Sequence, residues 1–240
     1  GAALHQAERW GLVERNVAKM ATPPPAHQER EAPPSPDEVL AIIQAGEQID
    51  PSLARMLLIA ALTGCRRGEL CALRWGDLDT ATNTLTVARS IYETAGGGWE
   101  TKGTKTFQAR RIGLGSLAIE TFQAQRAWVD DLAAQLDLDP EPDGFIFSPS
   151  PVGSEPVRPD VLTRFMGRAA RNAGVKAHLH ELRHFSATIG IAGGTDPVTM
   201  AGRLGHRDPS ITLRVYAHAL EQRDRAVAEL IDASLRRPQP

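Results

Sequence analysis

The chain has 240 residues, 42% of them hydrophobic, and a formal net charge of −2, which is enough for one substantial core with a small appendage. Its longest apolar run, around Met56 to Leu62, is far short of a membrane span, and its start lacks the basic-then-apolar order of a signal peptide, so a cytoplasmic protein without a membrane partner is expected. The near-neutral sum does not itself point to nucleic acid, but arginine dominates Arg158–Arg183 and Arg203–Arg225 while acids gather in VDDLAAQLDLDPEPDG, a division compatible with a phosphate ligand on the positive face.

Residues 3–20 read as a short amphipathic helix around Leu4, Ala7 and Leu12, a turn near Gly11, and a second apolar patch at Val13 and Val17. ATPPPAHQEREAPPSP follows, with six prolines and several charges, the composition of an extended linker. The main domain is expected to begin at Ser35-Pro36-Asp37-Glu38, where a cap, a proline at the first helical position and two acids start a helix running to about Ala45. A second helix is predicted over Pro51 to Leu62, and CRRGELCALRW continues in helical spacing. Cys65 and Cys71 lie on different faces of that reading and are expected to be buried thiols, neither a disulfide nor a metal pair.

The period changes at Asn83. TLTVARSIY alternates, a Gly-Gly-Gly turn follows, and WETKGTKTFQARRIGL supplies two further extended segments, so a three-stranded antiparallel sheet is predicted. Residues 116–136 return to helix, DLDPEPDG is a loop, and FIFSPS is a short buried segment. Further helices are predicted over Pro159–Asn172, Leu179–Ala192 and Pro197–Leu204, and from Ser210 almost to the end.

Four stretches carry residues able to do chemistry. In TGCRRGEL, Arg66 follows a glycine turn and stands three residues before Glu69, so the carboxylate can hold the guanidinium outward; a plain surface Arg–Glu pair is the competing reading. In HELRH, His180 and Arg183 share a helix face and can engage one anion from adjacent turns. The same letters match H-E-x-x-H, in which His180 and His184 bind zinc and Glu181 is the base; the third ligand would have to be Asp196 or Asp208, and the longer zinc pattern is absent. In TKGTKTFQARR, Lys102 and Lys105 project from a hairpin, where lysine is usually a solubility device. In LGHRDPSITLRVYAH, His206 sits in a turn and Tyr216 about a turn and a half into a helix capped by Ser210.

Taken together, TGCRRGEL, TKTFQARRIGL, HELRHFSAT and LGHRDPSITLRVYAH, in this order, resemble the catalytic domain of the tyrosine recombinases, the lambda-integrase-like phage integrase family, over about Ser35 to Leu230. The resemblance implies an α+β, mostly α-helical catalytic fold with a small three-stranded antiparallel sheet. It implies that Arg66 and Arg183 contact the scissile phosphate of double-stranded DNA, that His180 and His206 hydrogen-bond it, and that Tyr216 is the nucleophile. The family's hairpin lysine maps onto Lys105, with Lys102 the fallback; Glu69 matches the acid that accompanies the first arginine, and His184 the supporting position beside Arg183. The implied reaction is site-specific DNA recombination through a 3′-phosphotyrosine, with no metal or nucleotide cofactor. A type IB topoisomerase-like nicking-closing enzyme and a non-catalytic DNA-binding regulator are the alternatives.

By the same resemblance residues 1–32 are the C-terminal remnant of a core-binding domain plus linker, although Val17 stands where the family often has proline, and residues 33–240 are the catalytic domain with a helical tail. The chain would then be a truncation. The tail's apolar stripe, Leu220, Val227, Leu230 and Ile231, would dock on a neighbouring subunit. The resemblance implies a tetramer on synapsed DNA, a monomer for this piece alone, and accessory DNA-bending or directionality factors as further partners.

Overall fold

The computed structural model describes residues 2–21, 32–94, 98–103 and 109–206. The chain divides into two compact units between Ala32 and Pro33. In the first, helix α1 (Ala2–Arg9) ends before Gly11, whose φ of 72° reverses the chain. The buried Asn16 caps a 3-10 turn at Val17–Lys19 by accepting from the Ala18 amide at 3.1 Å, and the Asn16 amide donates to Glu8 at 3.0 Å. In the second apolar patch Val13 is half-buried and Val17 exposed.

The second unit opens with α2 (Pro36–Glu47), and its start is a reciprocal cap: the Glu38 amide donates to Ser35 Oγ at 3.2 Å while the Ser35 amide donates to Glu38 Oε2 at 2.7 Å. Helix α3 (Pro51–Thr63) starts on Asp50, which accepts from the Leu53 amide at 2.9 Å, and stops at Gly64 in the left-handed conformation. A side chain at Gly64 would be strained at φ 66°, and its Cβ would lie 2.5 Å from Leu204 Cδ2. The short α4 (Arg67–Cys71) follows. With Ala54, Met56, Leu57, Ile59, Ala60 and Ala61 all buried, α3 is the central rod of the core and packs against α2 and two later helices, α5 (Ser116–Gln135) and α7 (Leu179–Ala192).

The strands differ from the prediction. TLTVARSIY is not one strand but two, β2 (Thr84–Val87) and β3 (Arg89–Glu93), separated at Ala88. The three-stranded antiparallel sheet consists of β1 (Leu78–Asp79), β2 and β5 (Arg110–Gly113), with Leu85 opposite Ile112 and Val87 opposite Arg110. Strand β3 pairs instead with β4 (Trp99–Gly103) as a separate two-stranded ribbon. The physical reason is Arg89: continued alternation after the buried Leu85 and Val87 would turn its charge inward. After the break, Arg89 Nη2 donates to Asp77 Oδ2 at 2.5 Å.

Phe145, Ile146 and Phe147 are buried as expected, with the Ile146 amide donating to Leu73 O at 3.0 Å. The last described helices are α6 (Pro159–Asn172), α7 and α8 (Pro197–Leu204), with the predicted bounds. Ala187, Ile191, Met200 and Leu204 form a small buried cluster that fastens α8 to α7. Both cysteines are free and buried, as predicted. Among the described residues no helix is long and apolar enough to cross a membrane. The helix expected from Ser210 lies outside the described residues.

Candidate functional site

The site is built where α3 ends, α4 begins and α8 ends. Glu69, in the first turn of α4, accepts from the Arg66 amide at 2.8 Å through Oε2 and from Arg66 Nη1 at 2.9 Å through Oε1. A second guanidinium approaches from β5. Arg110 Nη1 donates to Oε1 at 3.0 Å and Nη2 to Oε2 at 2.8 Å, a fork that meets both oxygens. The Glu69 side chain is only 9% exposed while that of Arg66 is 37% exposed, so the pair is not a plain surface one: the carboxylate is enclosed between two arginines and holds Arg66 from the inner side. Burial works to raise its pKa; the Arg110 hydrogen bonds and charge, then the Arg66 amide and charge, outweigh it and hold the group at about 2.

Arg110 was not among the residues singled out in the sequence. Its signal was there: Arg110 and the buried Ile112 are two apart on β5 and therefore face the same side. A charged residue on the core side of a short strand needs a partner.

Helix α8 ends at Gly205, left-handed at φ 68°, and leaves its final carbonyls without intrahelical partners. Three consecutive ones are taken by three different arginines: Arg203 O by Arg110 Nε at 2.8 Å, Leu204 O by Arg183 Nη2 at 2.8 Å, and Gly205 O by Arg66 Nη2 at 2.7 Å. Cations at a helix C-terminus also complement its dipole. Arg183 Nη1 donates in addition to Gly64 O at 2.5 Å, so α7, the α3 turn and the α8 turn meet at one guanidinium. Burial, then the charge of Arg66, lower the Arg183 pKa to about 10, with Glu69 opposing; the group stays cationic at neutral pH.

The histidines surround these arginines. His180 lies one turn before Arg183 at the exposed rim, and His184 meets it edge to face with ring centroids 4.7 Å apart. Partial burial, followed by the positive charge of Arg183 and Arg66, lowers the His180 pKa. His206 follows Gly205 directly and its amide donates to Ala201 O at 2.9 Å. Burial first, then Arg183 and Arg66, push its imidazole down to about 4. At neutral pH His206 is therefore an uncharged hydrogen-bonding group beside fixed cations, an arrangement suited to an anion on which charge accumulates.

Of the expected site residues, the structure thus brings together Arg66, Glu69, His180, Arg183, His184 and His206. Lys102 lies on β4, where its backbone pairs with Ser90; Lys105 and Tyr216 lie outside the described residues. Of the acids of the zinc arrangement, Glu181 and Asp196 are employed as helix caps, and Asp208 lies outside the described residues. Glu181 accepts from the His178 amide at 2.5 Å as a helix cap, and Asp196 caps α8 by accepting from Val198 and Thr199 amides at 3.0 and 2.9 Å. Among the described residues no three His, Cys, Asp or Glu side chains gather as a metal site.

Comparison with known proteins follows the same lines. The profile described as the phage integrase family matches residues 35–223. The ICEBs1 integrase of Bacillus subtilis (strain 168) is 26% identical over 175 residues, covering 72% of this chain and 47% of that protein. The Tn1549 transposon integrase, solved in complex with a circular intermediate DNA, superposes with a TM-score of 0.73 at 20% identity, covering 95% of this chain and 75% of the other. A lambda integrase tetramer bound to a Holliday junction superposes with a TM-score of 0.54 at 22% identity, covering 89% and 56%. The fold is that of these integrases' catalytic domains. The chain spans about half the length of the curated relatives it matches.

Proposed function

The chain belongs to the phage integrase family, and on that premise we propose that the protein is a site-specific DNA recombinase that cuts and rejoins strands through a 3′-phosphotyrosine. One observation carries this reading. Arg66, in the extended cap before α4, and Arg183, on α7, donate to adjacent carbonyls of the turn that also carries His206, so two fixed cations and a neutral imidazole stand around one point. A tetrahedral phosphodiester is the ligand class that such an arrangement fits.

In the proposed reaction the Tyr216 phenolic oxygen attacks phosphorus, the phosphorus–O5′ bond breaks, and the protein keeps the phosphoryl group as a tyrosyl ester on the 3′ end. The phenol gives up its proton, and the departing O5′ takes one and becomes a hydroxyl. Lys105 on the β4–β5 connection is assigned as that donor, with Lys102 the alternative. Arg66 and Arg183 neutralise the equatorial oxygens, and His180 and His206 hydrogen-bond them. Glu69 supports Arg66, and His184 takes the supporting position beside Arg183. A 5′-hydroxyl of a second strand then attacks the ester and releases the tyrosine, so no external energy source enters.

The partner is double-stranded DNA carrying attachment sites, in a tetramer across the synapsed pair, with DNA-bending or directionality proteins as further partners and the cytoplasm as the setting. Support for the assembly comes from the lambda integrase tetramer on a Holliday junction, which shares the fold. Residues 1–32 are assigned as the end of a core-binding domain with its linker and residues 33–240 as the catalytic domain. The division of the chain between Ala32 and Pro33, and a family match that begins at residue 35, support that boundary.

The test is to incubate the protein with a nicked candidate site and look for a DNA band retarded in a denaturing gel and restored by protease. The expected result is such a band. Plasmid relaxation without pairing of sites would favour a topoisomerase instead.

A further inference from the structure

The proposed chemistry gives Arg110 no part, yet this residue ties the site together. Its side chain is 13% exposed and its donors are engaged within the protein: Nη1 and Nη2 on Glu69, Nε on Arg203 O at 2.8 Å. Gly205 lies directly against the guanidinium; a Cβ there would come within 2.9 Å of Arg110 Nη1. Arg203 braces the same joint in the opposite sense, donating to Gly113 O on the far end of β5 at 2.9 Å and to Leu62 O at 3.0 Å. Strand β5, the start of α4 and the end of α8 are thus joined through one side chain.

We infer that Arg110 is a positioning residue of the phosphate site, acting on Arg66 through their shared Glu69 and on His206 through the carbonyl turn that precedes it. The inference rests on the recombinase reading for what the site acts upon. Without Arg110, Glu69 loses two of the four hydrogen bonds it accepts among the described residues and its second counter-ion in a buried place, and the Arg203 carbonyl loses the Arg110 donor. Both groups have to move, and Arg66 and the Arg203–His206 turn move with them. Lysine in place of Arg110 keeps the charge but concentrates it at one point, which cannot meet both carboxylate oxygens and the Arg203 carbonyl together.

The experiment compares wild type, Arg110→Lys and Arg110→Met, each with and without Arg66→Lys, for the rate of adduct formation at saturating nicked DNA, for DNA affinity and for thermal midpoint. Both Arg110 variants are expected to lose about a hundredfold in rate, the cost of an ångström-scale misplacement, while affinity changes by less than about threefold. In the Arg66→Lys background the same Arg110 changes are expected to cost less than about threefold further, because residues that act in series do not add. Full multiplication of the two losses, or a lowered midpoint with an unchanged rate for folded protein, would overturn the inference.

Gly205→Ala, which crowds Arg110 while leaving every donor in place, is expected to reproduce the rate loss; an unchanged rate there would count against the inference even if the Arg110 variants failed to fold. A DNA-free crystal structure of Arg110→Lys supplies a readout independent of activity. It is expected to show Arg66 Nη2 and Gly205 O separated beyond about 3.5 Å, outside hydrogen-bond distance. Retention of that contact would overturn the inference, whereas an inert wild type would overturn the recombinase reading and leave the crystal structure to decide this one.

Discussion

Arg66 stands in the extended cap before α4 and Arg183 on α7, yet their Nη2 atoms donate to consecutive carbonyls, Gly205 O at 2.7 Å and Leu204 O at 2.8 Å. The end of α8 thereby sets the spacing between two cations that the chain keeps far apart, and it does so with backbone atoms that no side-chain substitution removes. In the proposed reaction that fixed spacing lets both act on one phosphate.

Arg183 holds two carbonyls and, in the proposed reaction, also serves the chemistry; the two effects are separable. Arg183→Ala leaves Gly64 O and Leu204 O without this donor, and each buried carbonyl left unsatisfied costs about 1–3 kcal/mol. Under the proposed reaction it also removes one transition-state cation, worth about a hundred- to a thousandfold in rate. Urea denaturation and single-turnover cleavage are expected to show both losses, with the rate loss persisting at temperatures where the variant is fully folded.

Glu69 makes stability depend on acid. Its ordinary value is 4.5 and the folded protein holds it at about 2. As pH falls the unfolded chain therefore takes up this proton first: the stabilisation is complete above about 4.5 and is lost progressively toward about 2, on the order of 3 kcal/mol in all. Chemical denaturation of wild type and Glu69→Gln across that window is expected to show a steep slope for the first and a shallower one for the second. Parallel slopes would contradict the enclosed carboxylate.

His206 is expected to titrate near 4, well under its ordinary 6.5, because of burial and then Arg183 and Arg66. A lowered histidine is uncharged when folded, so the unfolded chain binds its proton first and this contribution also fades as pH falls from 6.5 toward 4. Nitrogen-15 spectra of the imidazole should show the neutral form at pH 7. In Arg66→Gln the midpoint should move up toward 6.5, and an unmoved midpoint would mean that the two groups do not share a site.

Gly64→Ala tests the close approach of the α3 and α8 turns. The left-handed backbone at φ 66° costs an alanine about 1–2 kcal/mol, and a Cβ 2.5 Å from Leu204 Cδ2 adds an overpacking term of about 1–3 kcal/mol. A denaturation midpoint lowered accordingly is expected, together with slower cleavage as Leu204 and its carbonyl shift.

Most of the helical frame could be read from the chain because its limits are local. Ser35 with Glu38, Asp50 before Pro51, and the prolines at 159 and 197 announce their helices within a single turn. The sheet was less legible, since the break at Ala88 depends on where the Arg89 charge finds Asp77. Arg110 was the hardest to find. Its partners, Glu69 and the Arg203 carbonyl, lie on other elements, and the one local hint is that it shares a strand face with Ile112. Likewise, the enclosure of Glu69 depends on Arg110, 41 residues away in the chain, which the spacing of Arg66 and Glu69 does not announce.

The most direct measurement is to digest the protein–DNA adduct formed on a nicked site and identify by mass spectrometry the peptide that carries the nucleotide. The recombinase account predicts a nucleotide ester on Tyr216, and no adduct from Tyr216→Phe although that variant still binds the site. An adduct on any other residue, or one formed undiminished by Tyr216→Phe, would contradict it.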